Sequence, residues 1–484
     1  MERDDRLAKL DKLKAAGVNP YPAKTRRDKM IAEALSEFEA LEKSGQEIIL
    51  AGRLMSQRGH GNLNFGHLRD GSGQMQIALS KKEVGAESYK NFADLIDVGD
   101  FVEFKGVCFL THKGEKTLMV KEWGILSKAL LPLPEKWHGL KDEEEILRKR
   151  YLDILINPET RELFEKKARF WNSTRQFLVE QGFLEVETPV LENTAGGADA
   201  RPFVTHHNAL DMDVYLRISV GELWQKRLMV AGFEKTFELG RIFRNEGMSA
   251  EHLQDYTSME YYWAYADWND GMKLTEELIK YVAQETFGTL KFKIKDFEVD
   301  LGQVWEKYDY RQTILDKTGV DIEKVKDAEE IKKKLQELKV EYDDFDDVSR
   351  GIDQLWKHCR RSMAGPGFLI YPPKEVSPLA KEAPDRPGYV ERYQLILAGS
   401  ELCNGYSELN DPVDQDERFK KQAAMREAGD EEAQMHDRDF VAALEQGMPP
   451  TTGLGISERL FAFLVDKSVK ECQIFPLMRP KRVQ

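Results

Sequence analysis

The stretch FELGRIFRNEGMSAEHLQDYTSMEYYWAY, residues 237–265, decides the fold. Apolar residues such as Phe237 and Leu239 alternate with polar ones before a polar tip, and the alternation resumes at Met259. This period of two on both sides of a polar segment predicts a long antiparallel hairpin. Arg244 stands at the tip, and a planar, permanently charged guanidinium suits phosphate recognition. The alternative is a surface hairpin that carries an Arg–Glu ion pair.

Two glutamates, Glu401 and Glu408, stand among apolar neighbours further along the chain. A carboxylate is costly to bury unless a cation or a metal pairs with it, so a cation site is one interpretation of this segment. On a regular strand the two side chains point to opposite faces, unless a bulge intervenes.

A glycine-rich segment, residues 452–456, precedes an apolar helix predicted over residues 458–465. We expect a turn there. Glycines before the start of a helix can cradle a phosphate, and Arg459 would add positive charge. A simple turn into the helix is the more common explanation of such a pattern.

The first third of the chain has a different pattern. Five short strands, separated by turns rich in Gly, Ser and Asp and by one helical insert over 82–95, are predicted at Ile48–Leu54, Asn64–Asp70, Met75–Leu79, Asp100–Val107 and Lys116–Val120. Their number and length predict a small closed barrel, with the OB-fold as the leading candidate. Basic residues in the first 29 positions indicate either a solvated helix face or an RNA backbone contact.

The domain organisation follows from these patterns. We expect charged helices over residues 1–45, the OB-fold domain over 46–130, a linker over 131–145 around Pro132 and Pro134, and a larger domain over 146–484. Between residues 215 and 265 we expect apolar strands alternating with charged turns. Residues 322–360 are rich in Lys, Glu and Asp and are interpreted as a solvated surface, within a peripheral insertion of about residues 290–365.

Composition excludes several classes of protein. The 484 residues carry a formal net charge of −14, which argues against a broad nucleic-acid-coating surface but permits a local basic patch. The cysteines argue against structural zinc and disulfides, since they form no C-x-x-C pair: they are Cys108, Cys359, Cys403 and Cys472. No apolar run reaches about 18 residues, and the N-terminal segment has no apolar signal core. We therefore expect a cytoplasmic protein without a membrane partner.

Taken together, these segments resemble class II aminoacyl-tRNA synthetases. The hairpin is similar to motif 2, residues 453–459 to motif 3, and residues 401–411 to the amino-acid-binding strand between them. The helix and strand predicted over 169–189 resemble motif 1, which builds the dimer interface in that family. The lysine-specific members are the most similar, through the segments GGADARPF (196–203), EVSPLAK (375–381), SELNDP (407–412) and FPLMRP (475–480).

The resemblance implies an α+β protein, in which the OB-fold barrel binds the anticodon and the catalytic domain is an antiparallel sheet flanked by helices. It implies ATP-dependent activation of L-lysine to lysyl-adenylate, transfer to the 3′ end of tRNA(Lys), bound Mg²⁺ and a homodimer. No protein nucleophile is needed in this chemistry, so positioning and electrostatics carry the catalysis.

The family's functional residues carry over onto matching positions. The resemblance gives the catalytic role on ATP phosphates to Arg244 and Arg459. It assigns the remaining ATP contacts to Glu246, His252, Tyr256 and Glu401. The lysine-binding positions are Gly197, Glu222, Glu260, Tyr262, Asn404, Tyr406 and Glu408. The metal would lie at Glu401 and Gln394. The anticodon-binding positions are Arg58, Phe65, Gln76 and Glu122. Strand alternation alone also allows Phe65 to be a barrel core residue.

The sequence departs from the family pattern at three places. One extra residue precedes Glu222, the segment before Arg459 is one residue shorter, and Gln394 stands where the family places a second metal-binding glutamate. An amide oxygen can bind magnesium but brings no charge.

Three alternative functions are also considered for this sequence. A related class II enzyme for aspartate or asparagine would need a cation in the side-chain pocket, and Glu408 has the opposite charge. A paralogue that lysylates a protein would usually lack the barrel. A catalytically weak RNA-binding protein would not need Arg244, Glu246, Glu401 and Arg459 together.

Overall fold

The computed structural model describes residues 2–134, 142–247, 249–342, 344, 345 and 347–481. The chain forms two compact units, residues 1–146 and 147–484. The predicted linker includes residues 135–141, which lie outside the described residues, and the domain limits therefore stay a prediction.

The first unit contains a five-stranded barrel and short helices. Its strands are β1 (Glu47–His60), β2 (Leu63–Arg69), β3 (Gln74–Ser80), β4 (Phe101–Leu110) and β5 (Lys116–Ser127). Its helices are α1 (Glu2–Ala15), α2 (Ile31–Ser36), α3 (Phe38–Ser44), α4 (Lys81–Val84) and α5 (Ala86–Leu95). The strands close in the order β1-β2-β3-β5-β4, which confirms the predicted OB-fold barrel. The three helices α1, α2 and α3 precede the barrel in sequence, where charged helices were predicted.

The barrel interior is apolar and the N-terminal segment packs against the unit. Leu50, Leu68, Ile77 and Phe104 are fully buried inside the barrel. Basic residues of the N-terminal segment are engaged within the unit, through the ion pairs Lys9–Asp97 at 2.6 Å, Arg26–Glu103 at 2.7 Å and Lys29–Glu37 at 2.8 Å. For these three residues the contacts favour a structural role over an RNA contact.

The second unit is built on one large sheet. Its strands are β6 (Leu184–Glu185), β7 (Leu191–Glu192), β8 (Val204–His207), β9 (Met212–Leu216), β10 (Lys235–Phe243), β11 (Asp255–Ala264), β12 (Lys291–Ile294), β13 (Phe297–Asp300), β14 (Glu306–Asp309), β15 (Gly367–Ile370), β16 (Arg392–Leu397), β17 (Ser400–Glu401), β18 (Cys403–Ser407) and β19 (Thr451–Ser457). The large sheet has the order β14-β15-β16-β18-β19-β11-β10-β6, and β17 pairs with β16. Only the pairs β10–β6 and β14–β15 are parallel among the described strands of this sheet.

Helices flank this sheet, as the resemblance implied. They are α6 (Glu143–Arg148), at the boundary between the units, α7 (Arg150–Ile156), α8 (Pro158–Glu180), α9 (Glu222–Val230), α10 (Trp268–Phe287), α11 (Tyr310–Thr318), α12 (Ala328–Glu337), α13 (Val348–Arg360), α14 (Pro412–Glu427), α15 (Arg438–Leu444) and α16 (Arg459–Leu464). Phe170 of α8 and Leu278 of α10 share one buried core with Phe237 and Leu454 of the sheet. The predicted hairpin is present as β10 and β11, paired from Lys235–Trp263 to Phe243–Asp255.

Three local predictions were wrong. Residues 222–230 form helix α9 instead of a strand, and residues 452–456 lie in β19 instead of a turn. The strand predicted over 183–189 is reduced to Leu184–Glu185. The glycines of β19 are paired on both sides, with β11 and β18, so a central strand position overrides their preference for turns.

The segment predicted as an insertion has an apolar core of its own. Ile314, Ile331 and Leu355, from α11, α12 and α13, are fully buried together. Strand β14 nevertheless extends the large sheet, so the segment is not wholly peripheral. Within the described ranges, no helix combines the length and the apolar character needed to cross a membrane.

Candidate active site

A cavity of about 360 Å³ lies against the large sheet. It is lined by all the residues that the sequence assigned to ATP and lysine, namely Gly197, Glu222, Arg244, Glu246, His252, Tyr256, Glu260, Tyr262, Glu401, Asn404, Tyr406, Glu408 and Arg459. Gln394 lines it as well. Arg244 and Arg459 lie toward the tip of the β10–β11 hairpin, whereas the buried carboxylates lie further along the sheet.

The cationic end is formed by the tip of the β10–β11 hairpin and the start of α16. The backbone of Arg244 is held by a 2.7 Å hydrogen bond from its amide to the Gln254 carbonyl, and its guanidinium lies 5.9 Å from the centre of the Tyr256 ring. Arg459 forms a 2.6 Å ion pair with Glu251. Burial, and then the Arg459 charge, lower the pKa of His252, so its ring is neutral at pH 7. This end therefore suits a phosphate chain beside a flat aromatic base.

The other end holds three buried carboxylates from three separate elements. Glu222 begins α9, Glu260 lies on β11, and Glu408 follows β18. Glu260 accepts hydrogen bonds from the Val220 amide at 2.7 Å and the Tyr262 hydroxyl at 3.0 Å. Burial raises the pKa of Glu260 to about 7 and that of Glu408 to about 8. Acidic groups this far from water are suited to an ammonium ligand.

Sequence reasoning missed the cation that lies between two of these carboxylates. Lys226 Nζ is 2.7 Å from Oε1 of Glu222 and 2.5 Å from Oε2 of Glu408, and the side chain is almost fully buried. The Tyr406 hydroxyl also donates to Oε1 of Glu222. The contact with Glu408 lacks hydrogen-bond geometry, and Oε2 has no other hydrogen-bond partner in the part of the chain that is described. The i,i+4 spacing of Glu222 and Lys226 could have revealed the pair, had this segment been predicted as a helix.

The extra residue before Glu222 is absorbed by a glycine. Gly221 caps α9 in the left-handed conformation, with φ of 68°, and a Cβ there would lie 2.8 Å from Cβ of Thr188. No other residue type fits such a position without strain. Glu222 therefore still points into the cavity, and Gly197 lies so close that a Cβ on it would be 2.8 Å from Cβ of Glu222.

The glycines before α16 do not form a phosphate cradle in a turn. A Cβ on Gly453 would overlap Oε1 of Glu408 and lie 2.7 Å from Cε1 of Tyr262. Gly455 faces Glu260, with ordinary contact distances. These glycines thus leave room for the carboxylate end of the cavity, because they stand in the middle of a sheet and not at a helix start.

The predicted metal position has one carboxylate. Residue Ile396 is opposite Glu401 in the β16–β17 pair, and Gln394 lies two residues before Ile396, so Gln394 and Glu401 share a face. Trp356 of α13 donates its indole N–H to Oε1 of Glu401, and Nε of Arg360 lies 3.8 Å from the same oxygen. Among the described residues, no group of three or more His, Cys, Asp or Glu side chains could hold a metal ion.

Arg392 is a second residue that sequence reasoning missed. Its Nε donates a 2.7 Å hydrogen bond to Oδ1 of Asn404, and its Nη1 donates a 2.9 Å hydrogen bond to Oγ of Ser377. The amide of Asn404 is thereby oriented, since its oxygen faces Arg392 and its NH₂ group is the donor that is left for a ligand. Nothing local in the sequence indicates this pairing.

The four residues predicted to bind the anticodon share the outer face of the barrel. Arg58 is opposite Phe65 in the β1–β2 pair, and Gln76 lies two residues from Ala78, the β3 partner of Phe65. The register of β5 shifts before Glu122 and turns this side chain to the same face. Phe65 is half-buried and is not part of the barrel core. Glu122 forms a 2.6 Å ion pair with Arg26.

Comparisons with known proteins identify the family to which the chain belongs. Residues 142–479 match a family model described as tRNA synthetases class II (D, K and N), and residues 48–126 match one described as OB-fold nucleic acid binding domain. The fold and the site thus define a class II tRNA synthetase. A lysine–tRNA ligase of Thermosipho africanus (strain TCF52B) is 45% identical over 99% of this chain and 96% of its own length. One from Roseiflexus sp. (strain RS-1) is 43% identical over 99% of each chain. Another, from Thermotoga maritima, is 45% identical over 100% of this chain and 97% of its own. The chain belongs to the lysine–tRNA ligase family of that class.

Proposed function

We propose that this chain uses ATP to activate L-lysine as lysyl-adenylate and then transfers the lysyl group to the 3′ end of tRNA(Lys). The observation that carries the proposal is the polarity of the cavity, with Arg244 and Arg459 at one end and Glu222, Glu260 and Glu408 at the other. Lysine has a carboxylate that must reach the nucleotide and two ammonium groups that need carboxylate partners. The arginines would hold the nucleotide that the lysine carboxylate attacks, and the glutamates would bind the two ammonium groups.

In the first step an oxygen of the lysine carboxylate attacks the α-phosphorus of ATP in line. A new P–O bond forms, the bond to the β-phosphate oxygen breaks, and pyrophosphate leaves. Arg244 stabilises the charge that grows on the α-phosphate oxygens, and Arg459 holds the far phosphate. Glu246, His252 and Tyr256 surround the adenine.

In the second step a terminal ribose hydroxyl of tRNA attacks the lysyl carbonyl carbon. The ester C–O bond forms, the bond to the phosphate breaks, and AMP leaves with Arg244 as its counter-ion. Both steps depend on fixed positions of the reacting groups, which is consistent with the many hydrogen bonds that orient the side chains of this site.

The choice of lysine depends on the carboxylate end. Glu222 and the backbone at Gly197 receive the α-ammonium, and Asn404 donates to the α-carboxylate. Glu408 and Tyr262 bind the side-chain ammonium, while Glu260 and Tyr406 line the slot. An uncharged amino acid would leave buried carboxylates unpaired, which makes rejection strong without editing. An aspartate substrate would bring the wrong charge.

Magnesium fits this site as a partner of ATP. Mg²⁺ is usually bound by one or two carboxylates together with substrate phosphates, and it neutralises phosphate charge. Glu401 would supply the carboxylate and Gln394 a neutral oxygen, while Trp356 and Arg360 orient Glu401 through Oε1.

The outer face of the barrel is proposed to bind the anticodon. Phe65 would stack on a base, and Arg58, Gln76 and Glu122 would supply hydrogen bonds. A half-buried aromatic side chain on a face that also carries polar groups supports this assignment.

We propose a homodimer as well. Several large apolar side chains are exposed on the segment that runs from the end of α8 to the start of β9, and exposed apolar surface is typical of an interface. They are Val179, Leu184, Val190, Leu191, Val204, Leu210 and Met212. Sedimentation equilibrium would test this, and a monomer at all concentrations would contradict it. A cytoplasmic location stays an expectation from the sequence.

Pyrophosphate exchange with each of the twenty amino acids tests the function. We expect exchange with lysine alone, followed by charging of tRNA(Lys) in the presence of tRNA. Exchange with aspartate or asparagine instead of lysine would support a class II enzyme that is specific for that amino acid. No exchange with any amino acid would overturn the proposal.

A further inference from the structure

The ammonium of Lys226 lies in a cage of charged and aromatic groups. Its Nζ is 2.7 Å from Glu222 and 2.5 Å from Glu408, and it lies 5.5–5.9 Å from the ring centres of Tyr406, Tyr262 and Phe440. Carboxylates and aromatic faces are what a protein uses to bind an ammonium group. The chain thus keeps an ammonium of its own within the end of the cavity that we assign to the substrate.

The charges of this end can be counted. The carboxylates of Glu222, Glu260 and Glu408 carry −3 when all three are ionised, and Lys226 brings the sum of these four groups to −2. Asp199 also lines the cavity, where burial raises the pKa of its carboxyl and favours the neutral form. Free lysine has two ammonium groups, which together carry +2. With Lys226 present, these four groups together match the two ammonium groups of bound lysine, whose carboxylate lies toward the nucleotide, whereas without Lys226 one negative charge of the three glutamates would stay uncompensated.

The position of Lys226 also orients Glu408. Lys226 faces Oε2, and the other carboxylate oxygen, Oε1, faces Gly453 and the ring of Tyr262. The absence of a Cβ at Gly453 leaves space on that side. Lys226 therefore directs Oε1 to the side from which a ligand ammonium can approach.

We propose that Lys226 is a positioning and specificity-determining residue, which offsets one of the three carboxylate charges of the lysine pocket and turns one oxygen of Glu408 toward the substrate. This inference rests on the proposed function, because it concerns the pocket that binds the side-chain ammonium. Lys226 itself does not touch the reacting atoms.

The surrounding groups agree with this role. Burial is the largest effect on the pKa of Lys226 and lowers it, but Glu222 and Glu408 together raise the pKa above its ordinary value, so the ammonium stays charged. Burial raises the pKa of Glu408, and the Lys226 charge is the largest opposing effect. The phenols of Tyr262 and Tyr406 stay neutral because burial raises each pKa well above its usual value.

Other charged groups on the packed elements are engaged elsewhere. Arg227 of α9 pairs with Asp437 of α15 at 2.8 Å, and Glu238 of β10 pairs with Arg217 at 2.5 Å. Glu192 of β7 accepts from the Trp224 indole at 2.9 Å, and burial raises its pKa to about 7. Lys226 is thus the cation that faces Glu408 within the described residues.

The test is the pH profile of kcat/KM for lysine in pyrophosphate exchange, with wild type and Lys226→Met compared. Without the ammonium, Glu408 and its neighbours should hold protons to higher pH. We expect kcat/KM for lysine to fall about 10- to 100-fold at pH 7, and the acidic limb of the profile to move up by about one to two pH units. The KM for ATP should stay within about threefold, because the nucleotide end is unchanged.

Lys280→Met is the matched control, since Lys280 forms the same i,i+4 pair with Glu276 on α10, outside the cavity. It should leave the pH profile unchanged. Lys226→Gln, which is also uncharged but can donate a hydrogen bond to Glu222, replaces the methionine variant if thermal unfolding shows that the latter does not fold. An acidic limb that does not move in a folded variant overturns the role of Lys226. Wild-type protein that fails to exchange with lysine overturns the proposed function instead.

Discussion

Gly453 of β19 faces the carboxylate of Glu408, which lies two residues beyond Tyr406, the β18 partner of Gly453, and a Cβ on residue 453 would overlap Oε1 of Glu408. The glycine is therefore part of the pocket that we propose for lysine, although it contributes no functional group. Its role is to leave space for a charged side chain that comes from another strand.

Substituting Gly453→Ala should displace Glu408 and the Tyr262 ring. Overpacking of this kind costs about 1–3 kcal/mol, which corresponds to a rise of roughly 5- to 150-fold in the KM for lysine. Gly455→Ala is the matched comparison, since the nearest atom to its Cβ would be Cγ of Glu260 at 3.5 Å. Pyrophosphate exchange at varied lysine concentration measures the KM for lysine of both variants. Equal lysine KM values in the two variants would contradict the steric argument.

Glu408→Gln should remove the charge that pairs with the side-chain ammonium. Loss of one partner of a buried ion pair costs about 3–5 kcal/mol, so the KM for lysine should rise by about two to four orders of magnitude. Glu427→Gln, on the exposed end of α14, is the control. An unchanged lysine KM in Glu408→Gln would remove Glu408 from the pocket.

Lysine binding should strengthen as the pH rises from 6 to 8.5. Burial raises the pKa of Glu260 to about 7 and of Glu408 to about 8, so below these values the carboxyl groups are protonated and cannot pair with an ammonium. The ammonium groups of lysine that pair with them stay charged through most of this range. Isothermal titration calorimetry with lysine across this pH range gives the dissociation constant. An affinity for lysine that falls with rising pH would contradict the assignment of Glu260 and Glu408 to the lysine pocket.

Gln394→Glu should lower the magnesium concentration that half-maximal exchange requires. The substitution adds a second carboxylate on the face that Glu401 occupies, and we expect a decrease of about tenfold. Gln336→Glu, on the exposed face of α12, is the same substitution away from the site. If the two variants need the same magnesium concentration as wild type, Gln394 is not beside the ion.

Phe65→Ala should impair tRNA charging without changing pyrophosphate exchange. Stacking on one base contributes about 1–3 kcal/mol, so kcat/KM for tRNA should fall roughly 5- to 150-fold. Phe101→Ala is a suitable control, because Phe101 is an exposed aromatic residue on β4 that packs under Arg53. A loss of the same size in both variants would indicate a damaged barrel instead of a lost base contact.

Much of the fold could be predicted because its signals are local. The five barrel strands and the β10–β11 hairpin alternate with a period of two, and that pattern depends only on neighbours in sequence. Helix α9 was missed for a physical reason. It buries polar residues, namely Glu222, Gln225 and Lys226, so its apolar periodicity is weakened by the side chains that build the site.

The sequence by itself predicted many of the residues that line the cavity, although it missed Lys226 and Arg392. The arginines, the glutamates and the resemblance to a known family identified them one by one, and all of those assigned to ATP and lysine line one cavity. Only the tertiary structure decided how they are combined. It brought Lys226 between Glu222 and Glu408, Gly453 against Glu408, and Trp356 onto Glu401. Such pairings join distant segments through packing of the sheet and its helices, and no local pattern encodes them.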